Sequence, residues 1–323
     1  MSTTPLAINA SVVSLLQCPI CHHHLNSHEA TFACESCQAI FPIVDGIPVL
    51  INESNSLFSL NDFIHHRTTT FQDTKFSSIK NRIKSLLPTL GRNIKGPENY
   101  QKLIDHLLEQ APSPVILIIG GGIIGEGMEI LTKDSRIQLV ETDVSFAPRT
   151  QMICDGHDLP FGDQSFDCVI IQAVLEHVVD PYRCVAEIHR VLKLDGLVYA
   201  ETPFMQQVHM GCYDFTRFTH LGHRRLFRYF REIESGAVCG PGMALAWAYR
   251  YFLLSFCEHP RIRQFVYYFS SFTSFFLKYF DSHIINSPGT LDAASGYYFM
   301  GRRSEKPICD REIIQLYRGL QKT

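Results

Sequence analysis

Short apolar runs alternate with amphipathic stretches through the middle of this 323-residue chain. Val115–Ile119 is continuous and rich in β-branched residues, the pattern of a strand buried on both faces of a parallel sheet. Gly120, Gly121 and Gly122 follow at once, and Ile123–Leu131 predicts a helix. Ile137–Asp143, Met152–Asp155, Ser165–Gln172 and Leu197–Glu201 predict four further strands. A helix-rich crossover opens at Ala173, and Glu187 and Arg190 are expected to pair on it. Arg231–Val238 and Ser295–Gly301 predict a sixth and a seventh strand, and Tyr100–Gln110 a helix leading into the first. This alternation is that of an α/β fold: a Rossmann-like open sheet with helices on both faces.

Two stretches depart from that alternation. About residues 240–293 form an aromatic-rich helical insertion before the last strand. It holds an apolar segment, Ala244–Phe256, interrupted by Arg250. It also holds Phe265, Tyr267, Tyr268, Phe269, Phe272, Phe275, Phe276, Tyr279 and Phe280. Such aromatics suit a membrane interface or a greasy acceptor pocket; an internal helical cap or a homodimer interface is the other reading. Residues 53–98 form a polar linker. Within it, Lys75–Lys95 carries Lys75, Lys80, Arg82, Lys84, Arg92 and Lys95 and no acid, with Ile79, Ile83, Leu86 and Leu87 at helical spacing. A basic amphipathic helix there can lie on an anionic membrane, grip phosphates, or dock its apolar face on the main domain.

Composition narrows the class. The chain is 46% hydrophobic and 19% charged, which describes a globular protein. A net charge of −3 gives no global pull toward nucleic acid. The N-terminus lacks a basic segment before its apolar residues, and no apolar run is long enough to span a bilayer. Seven of the eleven cysteines are scattered, as expected of reduced thiols in the cytoplasm.

The other four cysteines carry chemistry. Cys18, Cys21, Cys34 and Cys37 form C-x2-C-x12-C-x2-C, two knuckles that aim four thiolates at one zinc ion. So short a segment, residues 1–52, buries little core, and the metal would supply its folding energy. His22, His23 and His24 are expected as solvated neighbours. Phe41–Leu50 predicts two strands joined by a turn at Asp45–Gly46. Residues 15–51 resemble the small zinc-ribbon protein that activates several RNA and protein methyltransferases. That ribbon implies a class of enzyme and little about its substrate.

The strand, glycine turn and acid suggest a nucleotide site. Backbone amides at such a turn can approach a ligand closely. Gly120, Gly122 and Gly125 also fit a dinucleotide-binding spacing, so a dehydrogenase is an alternative. Asp143 lies at the offset of a ribose-binding acid, with Glu141 as second candidate. Asp155 stands where an adenine-binding acid would, and residues 156–159 would edge the adenine. The order of motifs then becomes specific: the glycine loop, Asp143, DGHDLPFGDQSFD, VLEH and RVLKLDG. Over residues 113–202 it resembles the class I S-adenosylmethionine (SAM) methyltransferases. The resemblance implies a methyltransferase domain over residues 99–323, with a seven-stranded sheet whose last strand inserts antiparallel. It implies cofactor roles for Gly120, Gly122, Asp143, Asp155 and Asp158. Where the family has an acid two residues before the first glycine, this chain has Ile118. Glu126, in a loop one residue longer than usual, is expected to replace that contact. His177 corresponds to a residue the family keeps for packing.

The substrate side follows Glu201–Phe204, at the carboxyl edge of the sheet. His209, Tyr213, Asp214, Arg217, His220, His223, Arg224 and Arg225 crowd within 17 residues. The arginines could hold an anionic group while a histidine accepts a proton; a salt-bridged turn that only closes the pocket is the alternative. His209 is the first choice of catalytic base, with Asp214 as partner and His220 and His223 in reserve. The expected reaction is methyl transfer from SAM to a small-molecule, glycan or lipid-linked acceptor, with the enzyme peripheral on the inner face of a membrane. RNA is the alternative acceptor. The negative charge, the aromatic insertion and Ile171-Gln-Ala-Val in place of an NPPY-like tetrad oppose it. A non-catalytic SAM-fold scaffold is the reading from another class.

Overall fold

The computed structural model describes residues 5–65 and 88–320. Four short strands open the chain: β1 (Asn26–Ser27), β2 (Thr31–Ala33), β3 (Ile40–Val44) and β4 (Ile47–Leu50). Five parallel strands follow: β5 (Val115–Ile119), β6 (Gln138–Asp143), β7 (Met152–Cys154), β8 (Phe166–Gln172) and β9 (Leu192–Pro203). Finally, β10 (Phe230–Cys239) and β11 (Gly296–Arg303) pair antiparallel, and β11 inserts beside β9. The order β7-β6-β5-β8-β9-β11-β10 is the seven-stranded arrangement expected.

The sheet does not stop at seven strands. β4 adds in parallel to β7, with Val49 opposite Ile153 and Leu50 opposite Cys154, so eleven strands form one sheet. The reason is local. β7 would otherwise be an edge with unpaired backbone groups, and Val49-Leu50-Ile51 supplies a fully apolar partner. Leu16, Phe32, Phe41 and Leu50 of the N-terminal unit share one core with Leu159, Phe161, Phe166 and Val169. Backbone bonds seal the joint: Gln17 N–H to the Pro160 carbonyl at 3.0 Å and Gly162 N–H to that of Leu15 at 2.9 Å.

Helices cover both faces. Gly96–Gln110 lays Tyr100, Leu103 and Leu107 on Ile116, Ile118 and Tyr199. Pro181–Val191 packs Cys184, Ile188 and Val191 on the opposite face, its first turn capped by the Asp180 side chain. The helix expected over Ile123–Leu131 is absent; a 3-10 turn over Met128–Lys133 stands there instead. Gly127 explains the difference. It holds φ +95°, and a Cβ on it would lie 2.9 Å from the Gly96 carbonyl carbon.

Between β10 and β11 stand helices Pro241–Leu254, Pro260–Ser274, Leu277–Ile284 and Pro288–Ala293. Arg250 does not interrupt the first of them. Its guanidinium turns inward to the Ser271 hydroxyl at 2.6 Å and sits 4.1 Å from the Tyr267 ring centroid. Asp281 caps the same helix from a distance, accepting the N–H groups of Gly242 at 2.6 Å and Met243 at 2.9 Å. Many of the insertion's aromatics face outward, Phe256 at 73% exposure and Phe265 at 67%. No helix among the described residues is long and apolar enough to cross a membrane. Most of the basic stretch, Lys75, Lys80, Arg82 and Lys84 included, lies outside the described residues.

Candidate active site and metal centre

The two knuckles bring Cys18, Cys21, Cys34 and Cys37 together, all four sulfurs within 4.8 Å of one another. Cys18 and Cys37 approach to 3.6 Å and Cys21 and Cys34 to 3.4 Å. Tetrahedral Zn–S bonds of about 2.3 Å place sulfurs ~3.8 Å apart, so the cluster fits a zinc ion. The knuckles are built alike. His22 (φ 59°) and Gln38 (φ 61°) both take the left-handed conformation. Their N–H groups bond the carbonyls of Cys18 and Cys34 at 2.8 and 2.9 Å. The backbone N–H of His23 leads in holding the Cys21 thiol down to about 7. None of His22, His23 and His24 belongs to the four-ligand group.

A cavity of about 400 Å³ opens at the carboxyl ends of β5, β6, β7 and β8, a size usual for small-molecule sites. Gly120 lines it at φ +75°; a Cβ there would meet the Val174 side chain at 2.3 Å. Asp143 lines it too, accepting the Gly122 N–H at 3.0 Å. Burial pushes the Asp143 carboxyl up to about 6, against the backbone N–H groups of Gly122, Val144 and Ser145. Asp155 is the third expected residue in the wall. Burial raises its pKa, but His157, at 2.6 Å from Oδ1, and Ser56, at 2.5 Å from Oδ2, outweigh burial and leave it below the usual range.

Three expected cofactor residues do not line this cavity. Gly122 acts through its bond to Asp143. Asp158 is turned toward Asn52 and Asn55, at 3.0 and 3.1 Å, and pairs with Arg183. Glu126 is exposed, and its contact with the site is through its carbonyl, which accepts from Gln172 at 3.3 Å. The second ribose candidate, Glu141, is held by Arg149 in a two-pronged pair at 2.6 and 2.8 Å. Glu187 and Arg190 pair as expected, at 2.7 Å, and brace the 159–161 loop through the Leu159 N–H and the Leu159 and Phe161 carbonyls. Sequence reasoning missed Leu57 and Phe58, which wall the cavity from a segment read as polar linker.

The loop after β8 turns at Ala173, whose φ of 54° is costly for a side-chain-bearing residue. That turn sends Val174 and His177 into the cavity wall, beside Met210 and Tyr213. His209 lies against His177, their Nε2 atoms 3.1 Å apart. Asp214 approaches His209 Nδ1 at 3.4 Å and accepts its backbone N–H at 2.9 Å. Burial works against Asp214, yet the Arg217 guanidinium and that N–H hold it down to about 2. Beneath the histidines sits Glu176, 1% exposed, whose carboxyl burial pushes up to about 8.

The reserve histidines stand elsewhere. His220 and His223 project from the helix His220–Leu226 into the core, against Tyr297 and Phe227. Burial takes His220 down to about 4 and His223 to about 3, and neither lines the cavity. The expected anion-binding arginines are already engaged. Arg217 pairs with Asp214, Arg224 with Glu232 at 3.0 Å, and Arg225 with Asp310 at 3.0 Å.

Residues 119–200 match the family described as "Methyltransferase domain", and residues 11–46 match "Trm112p-like protein". A demethylmenaquinone methyltransferase of Clavibacter sepedonicus is 35% identical over 77 residues, 24% of this chain and 26% of that protein. The chain thus spans about a quarter of that relative's length. A UPF0434 protein of Methylobacillus flagellatus is 35% identical over 48 residues, covering 14% of this chain and 80% of that protein. Phosphoethanolamine N-methyltransferase 2 of Haemonchus contortus with SAM overlays at a TM-score of 0.43 and 16% identity, over 77% of this chain and 61% of that one. Residues 119–200 thus belong to a methyltransferase domain, and a Trm112p-like domain carrying the four clustered cysteines precedes it.

Proposed function

We propose that this protein transfers a methyl group from SAM to a small or amphiphilic acceptor. The observation that carries this reading is one cavity walled by Gly120, Asp143 and Asp155 and also by His177 and Tyr213. Asp143 would take the ribose hydroxyls, and Gly120 leaves room for the methionine end to approach the backbone. His157 and Phe58 would border the adenine. Bound there, SAM supplies an electrophilic methyl group on a sulfonium. The residues around it position the two partners, the main task in an in-line displacement. The apolar wall of Val174, Phe58 and Tyr213 keeps water from the methyl. His177, with His209 against it, would face the acceptor from the cavity wall.

The amphiphilic acceptor rests on the insertion. Its helix Pro241–Leu254 touches the loop that carries His209, the Tyr251 hydroxyl donating to the Val208 carbonyl at 2.8 Å. Phe252, Phe256, Phe265 and Phe272 stand exposed on the same insertion, each above 50%, suited to a membrane interface. Against RNA stand the net charge of −3 and the exposed aromatics of the insertion. Incubation with methyl-labelled SAM and fractionated cell extract tests the reading. Label is expected in lipid or small-molecule pools; label confined to RNA overturns the acceptor class, and no label in any pool overturns the activity.

A further inference from the structure

The two histidines at the acceptor face point the wrong atoms at each other for a dry hydrogen-bonded pair. His177 Nδ1 is engaged by the Tyr213 carbonyl at 2.7 Å. His209 Nδ1 is engaged by the Gln207 carbonyl at 3.3 Å and lies 3.4 Å from an Asp214 oxygen. Each Nδ1 must carry the proton to donate, which leaves a lone pair on each Nε2. Those two Nε2 atoms face each other at 3.1 Å. Glu176 Oε1 completes the group at 3.6 Å from His177 Nε2 and 3.8 Å from His209 Nε2. Glu176 is 1% exposed, and neither of its carboxylate oxygens has a hydrogen-bond partner. Three converging electron-pair donors, one of them a buried carboxyl group with no hydrogen-bond partner, form a candidate cation site.

The spacing says which kind. Bonds of about 2.1 Å to a single ion set neighbouring ligand atoms ~3.0–3.4 Å apart; the Nε2–Nε2 distance of 3.1 Å falls in that range, and the 3.6 and 3.8 Å distances to Glu176 exceed it by a few tenths of an ångström. Carbonyl and carboxylate groups behind both imidazoles are the outer contacts that orient metal-bound histidines. We propose that Glu176, His177 and His209 bind a divalent first-row metal ion, separate from the zinc of the ribbon. Two histidines and one carboxylate leave coordination positions open, and suit Zn2+, Mn2+, Fe2+ or Co2+ over Ca2+. His177 also lines the cofactor cavity, so the open positions serve the acceptor.

This inference rests on the methyltransferase reading of that cavity and narrows it to an oxygen acceptor. A hydroxyl ligated to the ion loses its proton to solvent near neutral pH. Its oxygen forms the new bond to the methyl carbon, and the methyl–sulfur bond breaks with its electron pair left on sulfur.

The test uses full-length protein with its ribbon zinc in place, titrated with Mn2+, which cysteine sites bind poorly. Free Mn2+ is read by electron paramagnetic resonance, and SAM binding by calorimetry on the same samples. One Mn2+ per chain is expected, with nitrogen couplings in the spin-echo spectrum. His209→Ala, on the exposed loop, should weaken Mn2+ at least ~tenfold, as should Glu176→Gln if it folds. Equal Mn2+, Zn2+ and Co2+ uptake by wild type and His209→Ala overturns the site. If SAM still binds in that case, the methyltransferase reading stands without the metal. If Mn2+ binds and SAM does not, the site stands and that reading falls.

Discussion

The ring of Phe58 stacks on that of Tyr213, centroids 5.9 Å apart and planes inclined by 19°. One residue comes from the segment leaving the ribbon and the other from the loop after β9, and both line the cavity at the carboxyl ends of β5–β8. The stack joins the N-terminal unit to the loop after β9 at the cavity wall. Stacked aromatic pairs contribute about 0.5–1.5 kcal/mol beyond their burial. Phe58→Leu keeps the bulk and removes the stack. SAM affinity measured by calorimetry should then fall roughly two- to tenfold; an unchanged affinity would separate the wall from the ligand.

Asp143 should make SAM binding depend on pH. Its folded pKa, about 6, lies above that of an unfolded Asp, because burial disfavours the charge. As pH falls through about 6 the carboxylate is protonated and loses an acceptor for the ribose, so SAM should bind more weakly. Stability runs the other way. Between pH ~4 and 6 the folded state holds the extra proton, so stability declines as pH rises through that window and stays lowered above it. Asp143→Asn should therefore stabilise the ligand-free protein at pH 7, by on the order of 2 kcal/mol, while weakening SAM binding. Thermal melts with and without SAM check both signs.

The ribbon's metal should matter to the cofactor site. β4 extends the sheet at β7, and the next residues hold the cavity: Asn52 and Asn55 on Asp158, Ser56 on Asp155. Stripping the ribbon with a thiol-directed chelator should lower the melting temperature and the SAM affinity together. Loss of one without the other would show that the two units are not coupled through β4.

The outward aromatics of the insertion give a membrane prediction. Replacing Phe256, Phe265 and Phe272 by serine removes exposed rings only, so stability should change by less than ~1 kcal/mol. Sedimentation with anionic vesicles should fall severalfold in this variant. Equal sedimentation of both proteins, or none by wild type, rules the face out as a membrane contact.

Much of this was legible in the sequence because it rests on short-range pattern. Val115–Ile119 and Cys168–Ile171 are apolar throughout, the pattern of a central parallel strand. The spacing of Cys18, Cys21, Cys34 and Cys37 specifies a closed metal site by itself. Asp143 and Asp155 end their strands at the cavity, as their position after apolar runs suggested. Phe58 was illegible because its partners, Phe63 and Tyr213, include one 155 positions away, and the residues leading up to it, 52–56, are polar. His220 and His223 were misgrouped with His209 because spacing along a chain does not say which way a helix turns its residues. Leu226 and Phe227, buried on the same helical side, carried that signal. Glu176 passed unnoticed inside LEH, since burial without a partner shows only in three dimensions.

The central claim is that the Gly120–Asp143–Asp155 cavity binds SAM. Calorimetric titration of the full-length protein with SAM tests it most directly, with Asp143→Ala alongside. One SAM per chain is expected for wild type, with binding weakened at least ~tenfold in the variant, as loss of hydrogen bonds to a charged group of about 1.5–3 kcal/mol implies. No heat of binding to wild type, or equal binding by both proteins, would contradict it.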